Sequence, residues 1–159
     1  LEAAYQPLTD NLIEQIGWCY ERAGSVDLIR THGDCHIGNI LWADDGPHLV
    51  DLDDSRMTPA IQDLWMFLSG DRTDQETTLA RLLEGYTRFY EFDARQLHLV
   101  EALRTLRLIH YYAWLARRWT DPAFPRAFPW FNSQRCWEQH ILDLREQAAL
   151  MSEPPLNIS

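Results

Sequence analysis

The feature that most constrains this chain is a polar stretch between two short apolar runs, which reads His-Gly-Asp-Cys-His-Ile-Gly-Asn and ends at Asn39. Asp34 precedes Asn39 by five positions, and another carboxylate, Asp51, stands in the next apolar run. Taken singly, Asp34 could be an ordinary turn residue and Asn39 could cap a turn. A carboxylate inside an apolar strand, however, seldom lacks a metal ion or a hydrogen-bonded partner. Asp51 therefore makes the three residues a candidate site.

Turn residues separate the two apolar runs. Residues 43–47, Ala-Asp-Asp-Gly-Pro, combine three strong turn-forming residue types. Residues 40–42 and 48–52 are therefore predicted to be the two strands of a β-hairpin. The open end of this hairpin would bring Asn39 and Asp51 side by side, within reach of one metal ion.

The spacing of these residues resembles the catalytic loop of kinases, in which His-Arg-Asp is followed by an Asn and then by the Asp of Asp-Phe-Gly. Phosphoryl transfer needs a carboxylate that accepts the proton of the attacking hydroxyl, and oxygen ligands that hold Mg²⁺ against the nucleotide phosphates. The resemblance implies that Asp34 is the catalytic base. It also implies that Asn39 and Asp51 bind Mg²⁺ and the phosphates of ATP.

Glycine replaces the kinase Arg at position 33, and this variant of the motif is similar to the aminoglycoside-phosphotransferase, or choline-kinase-like, branch of the protein-kinase-like fold. Residues 50–54 (Val-Asp-Leu-Asp-Asp), 62–66 (Gln-Asp-Leu-Trp-Met) and 113–119 (Ala-Trp-Leu-Ala-Arg-Arg-Trp) extend the likeness. Within the branch they resemble bacterial serine/threonine kinases of the stress response. The likeness covers nearly the whole chain, but only the C-terminal half of such a protein.

The fold that this resemblance implies is α+β and mainly helical, namely the C-terminal lobe of a protein-kinase-like fold with a small catalytic-loop β-hairpin. Residues 1–152 would form this catalytic and acceptor lobe, and residues 153–159 a tail that we expect to fray.

The sequence lacks residues that the N-terminal lobe of a kinase uses to hold ATP. All 14 basic residues are Arg, and the chain has no Gly-rich loop, whereas kinases cover ATP with a Gly-rich loop and a strand Lys. We therefore expect the N-terminal, ATP-covering lobe to be absent from this chain. We also expect these 159 residues alone to lack phosphotransferase activity.

Three further residues have supporting roles in this interpretation. His32 is expected to brace the loop and the backbone at Asp51. Asp63 is expected to hydrogen-bond the catalytic loop, with an ordinary helix-surface Asp as the alternative. Asp53 could be a secondary metal ligand, a group on the acceptor side or a solvated acid.

A zinc site is the rival interpretation of the polar stretch, because His32, Asp34, Cys35 and His36 are all potential ligands. Neighbouring side chains on an extended loop point apart, however, and do not readily close one tetrahedron. The sequence has no second Cys-x-x-Cys or His-x-x-x-His element. The zinc interpretation is therefore disfavoured.

Charge and cysteine usage bear on partners and compartment. The net charge of −10 disfavours general binding to nucleic acid or to anionic membranes. Four Arg residues between positions 104 and 118 fit salt bridges to an acidic surface better than a nucleic-acid site. Three widely spaced cysteines and the lack of a signal peptide favour a cytosolic location without disulfides.

The acceptor of the phosphate is the least constrained part of the interpretation. The resemblance implies a Ser or Thr hydroxyl of a protein. A small hydroxyl substrate of the aminoglycoside, choline or homoserine type is the alternative, since an acidic groove would suit the cationic ones and fold does not settle substrate. A non-catalytic binding module is disfavoured because Asp34, Asn39 and Asp51 are all present.

Apolar periodicity and capping residues predict the remaining elements. The predicted elements are a helix that starts near Thr9 or Asp10 and ends before Gly24, a strand over residues 26–31, helices over residues 59–69, about 74–90, about 94–119 and about 133–151, and an irregular loop over residues 121–132.

Overall fold

The structure is a computed structural model that describes residues 2–158. In chain order its helices and strands are α1 (Glu2–Ala23), β1 (Ile29–Thr31), β2 (Ile40–Ala43), β3 (Gly46–Leu49), β4 (Arg56–Thr58), α2 (Arg72–Tyr86), α3 (Val100–Arg118), α4 (Ala123–Ala127) and α5 (Gln134–Leu150). Short 3₁₀ turns connect many of them. The fold is thus mainly helical, as predicted. In the described part of the chain, no helix is both long and apolar enough to cross a membrane.

The residues group into two compact units. The first comprises residues 1–19, as far as they are described, with residues 101–153, and the second comprises residues 20–100 with the C-terminal segment from Pro154. Buried side chains of α1, α3 and α5, and of the residue that follows α5, form the core of the first unit: Leu12, Ile16, Cys19, Ala102, Leu144 and Met151.

The first helix confirms the predicted stop but not the predicted start. Gly24 follows α1 with a φ of +66°, and its N–H donates to the carbonyl of Tyr20, as expected of a glycine just beyond a helix. Thr9 lies inside α1, where its hydroxyl donates to the carbonyl of Tyr5 instead of capping a terminus. The helix begins seven residues earlier than Thr9, at Glu2, and it accommodates Pro7 near its N-terminus.

Aromatic side chains dominate the rest of the first unit. The ring of His140 stacks on Tyr112 with a centroid distance of 3.5 Å and an interplanar angle of 6°. His140 has no solvent exposure, and neither of its ring nitrogens has a hydrogen-bond partner among the described residues. The segment predicted to be an irregular loop contains the short helix α4. The helix predicted from about residue 133 is α5, and Ser133 caps it, since its hydroxyl accepts the N–H of Cys136.

The second unit holds the four strands that the structure describes. β1 pairs antiparallel with β4, a partner that the sequence did not reveal, and β2 pairs antiparallel with β3. The β2–β3 hairpin lies where a hairpin was predicted, but Gly46 and Pro47 belong to its second strand. That strand ends at Leu49, so the prediction of a strand through residue 52 was wrong.

The prediction of a helix over residues 59–69 was also wrong. Two 3₁₀ turns, Ala60–Asp63 and Trp65–Phe67, occupy the segment. Tertiary hydrogen bonds account for the difference. The side chain of Gln96 accepts the N–H of Ile61, and the carboxylate of Asp63 accepts a backbone N–H of the loop that follows β1. Such contacts override local helix propensity.

The C-terminal segment is held against α2 and does not match the frayed tail that we expected. The guanidinium of Arg72 donates to the carbonyls of Pro154 and Pro155 at 3.0 and 2.6 Å. Glu76 accepts the N–H of Asn157 at 2.9 Å and also pairs with Arg72. Two charged side chains therefore fix a segment that has no regular structure of its own.

Candidate functional site

A tight turn leads from β1 into the polar loop. Gly33 has a φ of +87°, and a Cβ at this position would overlap the carbonyl oxygen of Asp54. Only glycine combines this backbone conformation with so close an approach of another segment. This packing explains why glycine, and not the bulky Arg of the kinase motif, precedes Asp34.

Asp63 clamps the turn. Its carboxylate accepts the backbone N–H of His32 at 2.7 Å and the backbone N–H of Gly33 at 2.9 Å. The neighbouring Gln62 donates from its side chain to the carbonyl of Gly33 at 2.9 Å. Two adjacent side chains of one 3₁₀ turn thus satisfy three polar groups of the loop backbone, which fixes the entry to Asp34. Sequence analysis missed Gln62, although it stands beside Asp63 in the stretch that carried the resemblance.

His32 joins the loop to the far side of the hairpin. Its Nε2–H donates to the carbonyl of Val50 at 2.8 Å, and its Nδ1 accepts the N–H of Asp34 in a long contact of 3.4 Å. This pair of contacts fits the tautomer that carries its proton on Nε2. His32 is therefore placed to brace the backbone beside Asp51.

Asn39 connects the proposed base to the hairpin. Its side-chain amide donates to the carbonyl of Asp34 at 3.0 Å, and its own carbonyl accepts the N–H of Val50 at 3.0 Å. Asn39 is 92% buried, which makes its rotamer well defined. Because the amide nitrogen is committed to Asp34, the side-chain oxygen is the atom that can face a cation.

Asp51 does not lie within a strand, contrary to the prediction. It is exposed, and it has left-handed backbone angles, φ 61° and ψ 62°, directly before the 3₁₀ turn Leu52–Asp54. Asp51 stands two residues after the end of β3 at Leu49. A non-glycine residue in this region stores roughly 1 kcal/mol of strain, and such residues concentrate at functional sites.

The acidic residues after Asp51 are also exposed. Asp53 lies on the 3₁₀ turn Leu52–Asp54, and its role stays a prediction. The carboxylate of Asp54 lies 3.9 Å from the guanidinium of Arg56. An ion pair of this kind at a solvated surface contributes little to stability. Its backbone carbonyl, packed on Gly33, is the part of Asp54 that shapes the loop.

Cys35 directly follows the proposed base in sequence. Its thiol is buried, and burial raises the pKa of this thiol, with the carboxylates of Asp63 and Asp34 adding to the shift. A raised thiol pKa disfavours the reactive thiolate. Across residues 2–158, no three His, Cys, Asp or Glu side chains converge on a point that could hold a metal ion.

The donor set of Asn39 and Asp51 fits a hard cation. An amide oxygen and an exposed carboxylate are oxygen ligands of the kind that Mg²⁺ prefers, and Mg²⁺ commonly takes only one or two protein ligands besides phosphates and water. The hydrogen bond between Val50 and Asn39 joins the two segments that carry these residues. These two residues are therefore the ones that could hold Mg²⁺.

Comparison with known sequences identifies the family. The sequence model of the phosphotransferase enzyme family (APH) matches residues 3–100, which include every residue of the candidate site. The chain belongs to this family. The resemblance carried by the polar loop is thereby confirmed.

Two relatives show how far the likeness extends. Stress response kinase A of Escherichia coli O157:H7 is 48% identical over 159 residues, which are all of this chain and 48% of that protein. The serine/threonine protein kinase RdoA of Salmonella typhimurium (strain LT2) is 46% identical over 158 residues, or 99% of this chain and 47% of that protein. The chain thus spans about half the length of the curated relatives it matches.

Proposed function

We propose that the chain is the catalytic and acceptor lobe of an ATP-dependent kinase, which transfers the γ-phosphate of Mg-ATP to a hydroxyl group. The observation that carries the proposal is the position of Asn39. Its side chain binds the carbonyl of Asp34, while its backbone pairs with Val50, next to Asp51. The proposed base and the proposed metal ligands therefore belong to one hydrogen-bonded unit.

Each residue of this unit has a definite task in the proposed reaction. Asp34 orients the acceptor hydroxyl and accepts its proton as the oxygen attacks phosphorus. The side-chain oxygen of Asn39 and the carboxylate of Asp51 would hold Mg²⁺, which neutralises charge on the transferring phosphoryl group. Because most of the rate comes from positioning and electrostatic stabilisation, small displacements of these groups are costly.

The surrounding residues keep the unit rigid. Asp63 holds the backbone of the turn before Asp34, and His32 ties the loop to the carbonyl of Val50. We assign Asp53 a supporting role on the acceptor side, where an exposed carboxylate can meet the substrate. This assignment rests on its place two residues after Asp51.

A protein Ser or Thr is the acceptor that we propose. Its support is the 46% identity to a relative that is named a serine/threonine protein kinase. The net charge of −10 supports one alternative, a small cationic acceptor of the aminoglycoside or choline type. Both acceptors use the same base and the same metal ligands.

The curated relatives extend beyond the part that matches this chain. We propose that this further part is the partner of the lobe and covers ATP. Its support is an apolar surface on the hairpin, where Leu41, Trp42 and Leu49 are 55, 79 and 55% exposed. Ile37, which is 80% exposed, lies in the turn just before the hairpin. We expect the 159 residues alone to show no phosphate transfer, because neither a Lys nor a Gly-rich loop is present to hold the nucleotide.

The test is transfer of γ-labelled phosphate from Mg-ATP by the full-length parent protein. A generic protein substrate and a panel of aminoglycosides, choline and homoserine would be offered, with Asp34→Asn as the control. Label on protein that disappears in the variant supports a protein kinase. Label on a small molecule alone would move the assignment to the small-molecule kinases. Absence of transfer to every acceptor would favour a non-catalytic binding module.

A further inference from the structure

The peptide bond between Gly33 and Asp34 is held by a side chain that the proposed mechanism does not use. The side-chain amide of Gln62 donates to the carbonyl of Gly33 at 2.9 Å. Gln62 is 8% exposed, and the hydrogen bond is buried. We infer that Gln62 is a positioning residue, which fixes the orientation of this peptide bond and thereby the direction in which the side chain of Asp34 leaves the main chain. The inference rests on the proposed function, in which Asp34 is the base.

The task of Gln62 differs from that of its neighbour Asp63. The two N–H groups that Asp63 accepts, at 2.7 and 2.9 Å, are those of His32 and Gly33. They belong to the two peptide bonds that precede the one between Gly33 and Asp34. The carbonyl of Gly33 belongs to this last peptide bond, and its donor at 2.9 Å is Gln62. The two adjacent side chains therefore hold three successive peptide bonds, and Gln62 holds the one that leads into the proposed base.

The glycine makes such a hold necessary. Gly33 has a φ of +87° and no Cβ, so its backbone torsions are less restricted than those of other residues. A rotation of the peptide bond between Gly33 and Asp34 would change φ of Asp34 and redirect its side chain. The hydrogen bond from Gln62 opposes this rotation, because breaking it would leave buried polar groups unpaired. The guanidinium of Arg56 also approaches the carbonyl of Gly33, but at 3.5 Å it constrains the carbonyl less.

The main chain at Gln62 is itself anchored. The N–H of Gln62 donates to the carbonyl of Pro59 at 3.0 Å. The preceding N–H, that of Ile61, donates to the side chain of Gln96 at 3.0 Å. A carbonyl can only accept a hydrogen bond, so the atom of Gln62 that faces Gly33 is the amide nitrogen. A donor on an anchored main chain holds a neighbouring group in a defined geometry, as a positioning residue must.

Gln96 provides a matched control for Gln62. Both are buried glutamines, 4 and 8% exposed, and their side chains make hydrogen bonds to main-chain groups at 3.0 and 2.9 Å. The bond of Gln62 reaches the loop that carries Asp34, whereas the bond of Gln96 ends at Ile61. Methionine is close to glutamine in size but has no amide. Gln62→Met and Gln96→Met therefore each remove a buried hydrogen bond while a side chain of similar volume fills the space.

The experiment measures phosphate transfer from Mg-ATP by the full-length protein as wild type, Gln62→Met, Gln96→Met and Asp34→Asn. Positioning predicts that Gln62→Met lowers kcat about tenfold or more and leaves the KM for Mg-ATP unchanged, because the base is misdirected and the metal ligands are not. Gln96→Met should lower the midpoint of thermal unfolding by a similar amount but keep its kcat.

The controls separate failure of the inference from failure of the proposed function. With an active wild type and an inactive Asp34→Asn, an unchanged kcat in Gln62→Met would overturn the inference and leave the proposed function intact. Equal losses of kcat in Gln62→Met and Gln96→Met would do the same, since they would reflect a purely structural role. A wild type that transfers no phosphate, or an Asp34→Asn variant that keeps its turnover, would overturn both.

A second measurement does not depend on turnover. In nuclear magnetic resonance spectra of the full-length protein, we expect the side-chain amide protons of Gln62 to exchange with solvent more slowly than those of an exposed glutamine such as Gln139. In Gln62→Met the carbon-13 shifts of the Gly33 carbonyl and of Cα and Cβ of Asp34 should change, whereas Gln96→Met should leave them in place. Rapid exchange in the wild type, or unchanged shifts in Gln62→Met, would contradict the inference.

Discussion

At the scale of single residues, Gly33 and Asp51 share a backbone conformation that most side chains resist. Gly33 adopts it without strain, and the absence of a Cβ admits the carbonyl of Asp54. Asp51 adopts it at a cost of roughly 1 kcal/mol, although Asp is among the residues that tolerate it best. The loop therefore holds one carboxylate residue in a strained backbone conformation. Strained residues of this kind concentrate at functional sites.

Gly33→Ala tests the close approach at the turn. We expect it to lower the free energy of unfolding by about 2 kcal/mol or more, because a left-handed Ala is strained and its Cβ overlaps Asp54. The matched control is Gly46→Ala, where φ is +123° but no atom lies within 4 Å of the added Cβ. Urea denaturation of the full-length protein measures both. Equal losses in the two variants would show that the overlap carries no cost.

Asp34 and Asp51 should fail in different ways when each is replaced by Asn in the full-length protein. Asp34→Asn removes the proposed base, so we expect turnover to fall at least about a hundredfold while Mg-ATP still binds. Asp51→Asn keeps a residue that tolerates the left-handed conformation but removes the charge of the proposed metal ligand, so binding of Mg-ATP itself should weaken. Initial rates and calorimetric titration with Mg-ATP separate the two effects. Equal nucleotide affinity in both variants would argue against a metal role for Asp51.

At the scale of secondary-structure elements, individual hydrogen bonds determine where a helix begins. α2 begins at Arg72, earlier than the sequence indicated, because Asp71 and Asp74 form a reciprocal capping box. The carboxylate of Asp71 accepts the N–H of Asp74 at 2.9 Å, and Asp74 accepts the N–H of Asp71 at 3.3 Å. Gly70 stands immediately before this box, where a Cβ would meet the carboxylate of Asp74.

The capping box predicts a coupled stability effect. Asp71→Ala should lower the free energy of unfolding by about 1 kcal/mol. Asp74→Ala should lower it by a smaller amount, because the bond that the Asp74 carboxylate accepts is the longer of the two. Because both belong to one motif, the double variant should lose less than the sum of the two. Chemical denaturation of the four proteins gives this double-mutant cycle. Strict additivity would mean that the two bonds act independently.

At the scale of the whole molecule, the site and the aromatic core belong to different compact units. The loop, the hairpin and Asp63 all lie in the second unit, within the region matched by the family. The first unit carries the stacked pair Tyr112 and His140.

His140 should make the stability of the first unit depend on pH. Burial lowers the pKa of His140 to about 4, against the opposing influence of Asp143, whereas an unfolded His has a pKa of about 6.5. Between these values the unfolded chain binds more protons, so stability is full above pH 6.5 and falls as the pH drops towards 4. The loss reaches about 3 kcal/mol below the folded pKa.

The control for this effect is His140→Phe, which keeps a ring for Tyr112 to stack on but cannot titrate. Thermal unfolding of both proteins between pH 8 and pH 4 isolates the contribution of His140 from that of the many carboxylates. The difference in stability between variant and wild type should grow as the pH falls through this window. A constant difference would show that His140 is not buried in its neutral form.

The sequence by itself determined the family, the mainly helical fold and the position of the hairpin. It did so because turn residues, apolar periodicity and the spacing of Asp34 and Asn39 are local properties of the chain. Only the tertiary structure decided that residues 59–69 form 3₁₀ turns, that β1 pairs with β4, and that Asp51 leaves the strand in a left-handed conformation. These outcomes depend on hydrogen bonds between residues distant in sequence, such as those from the loop backbone to Asp63, and no local pattern encodes them.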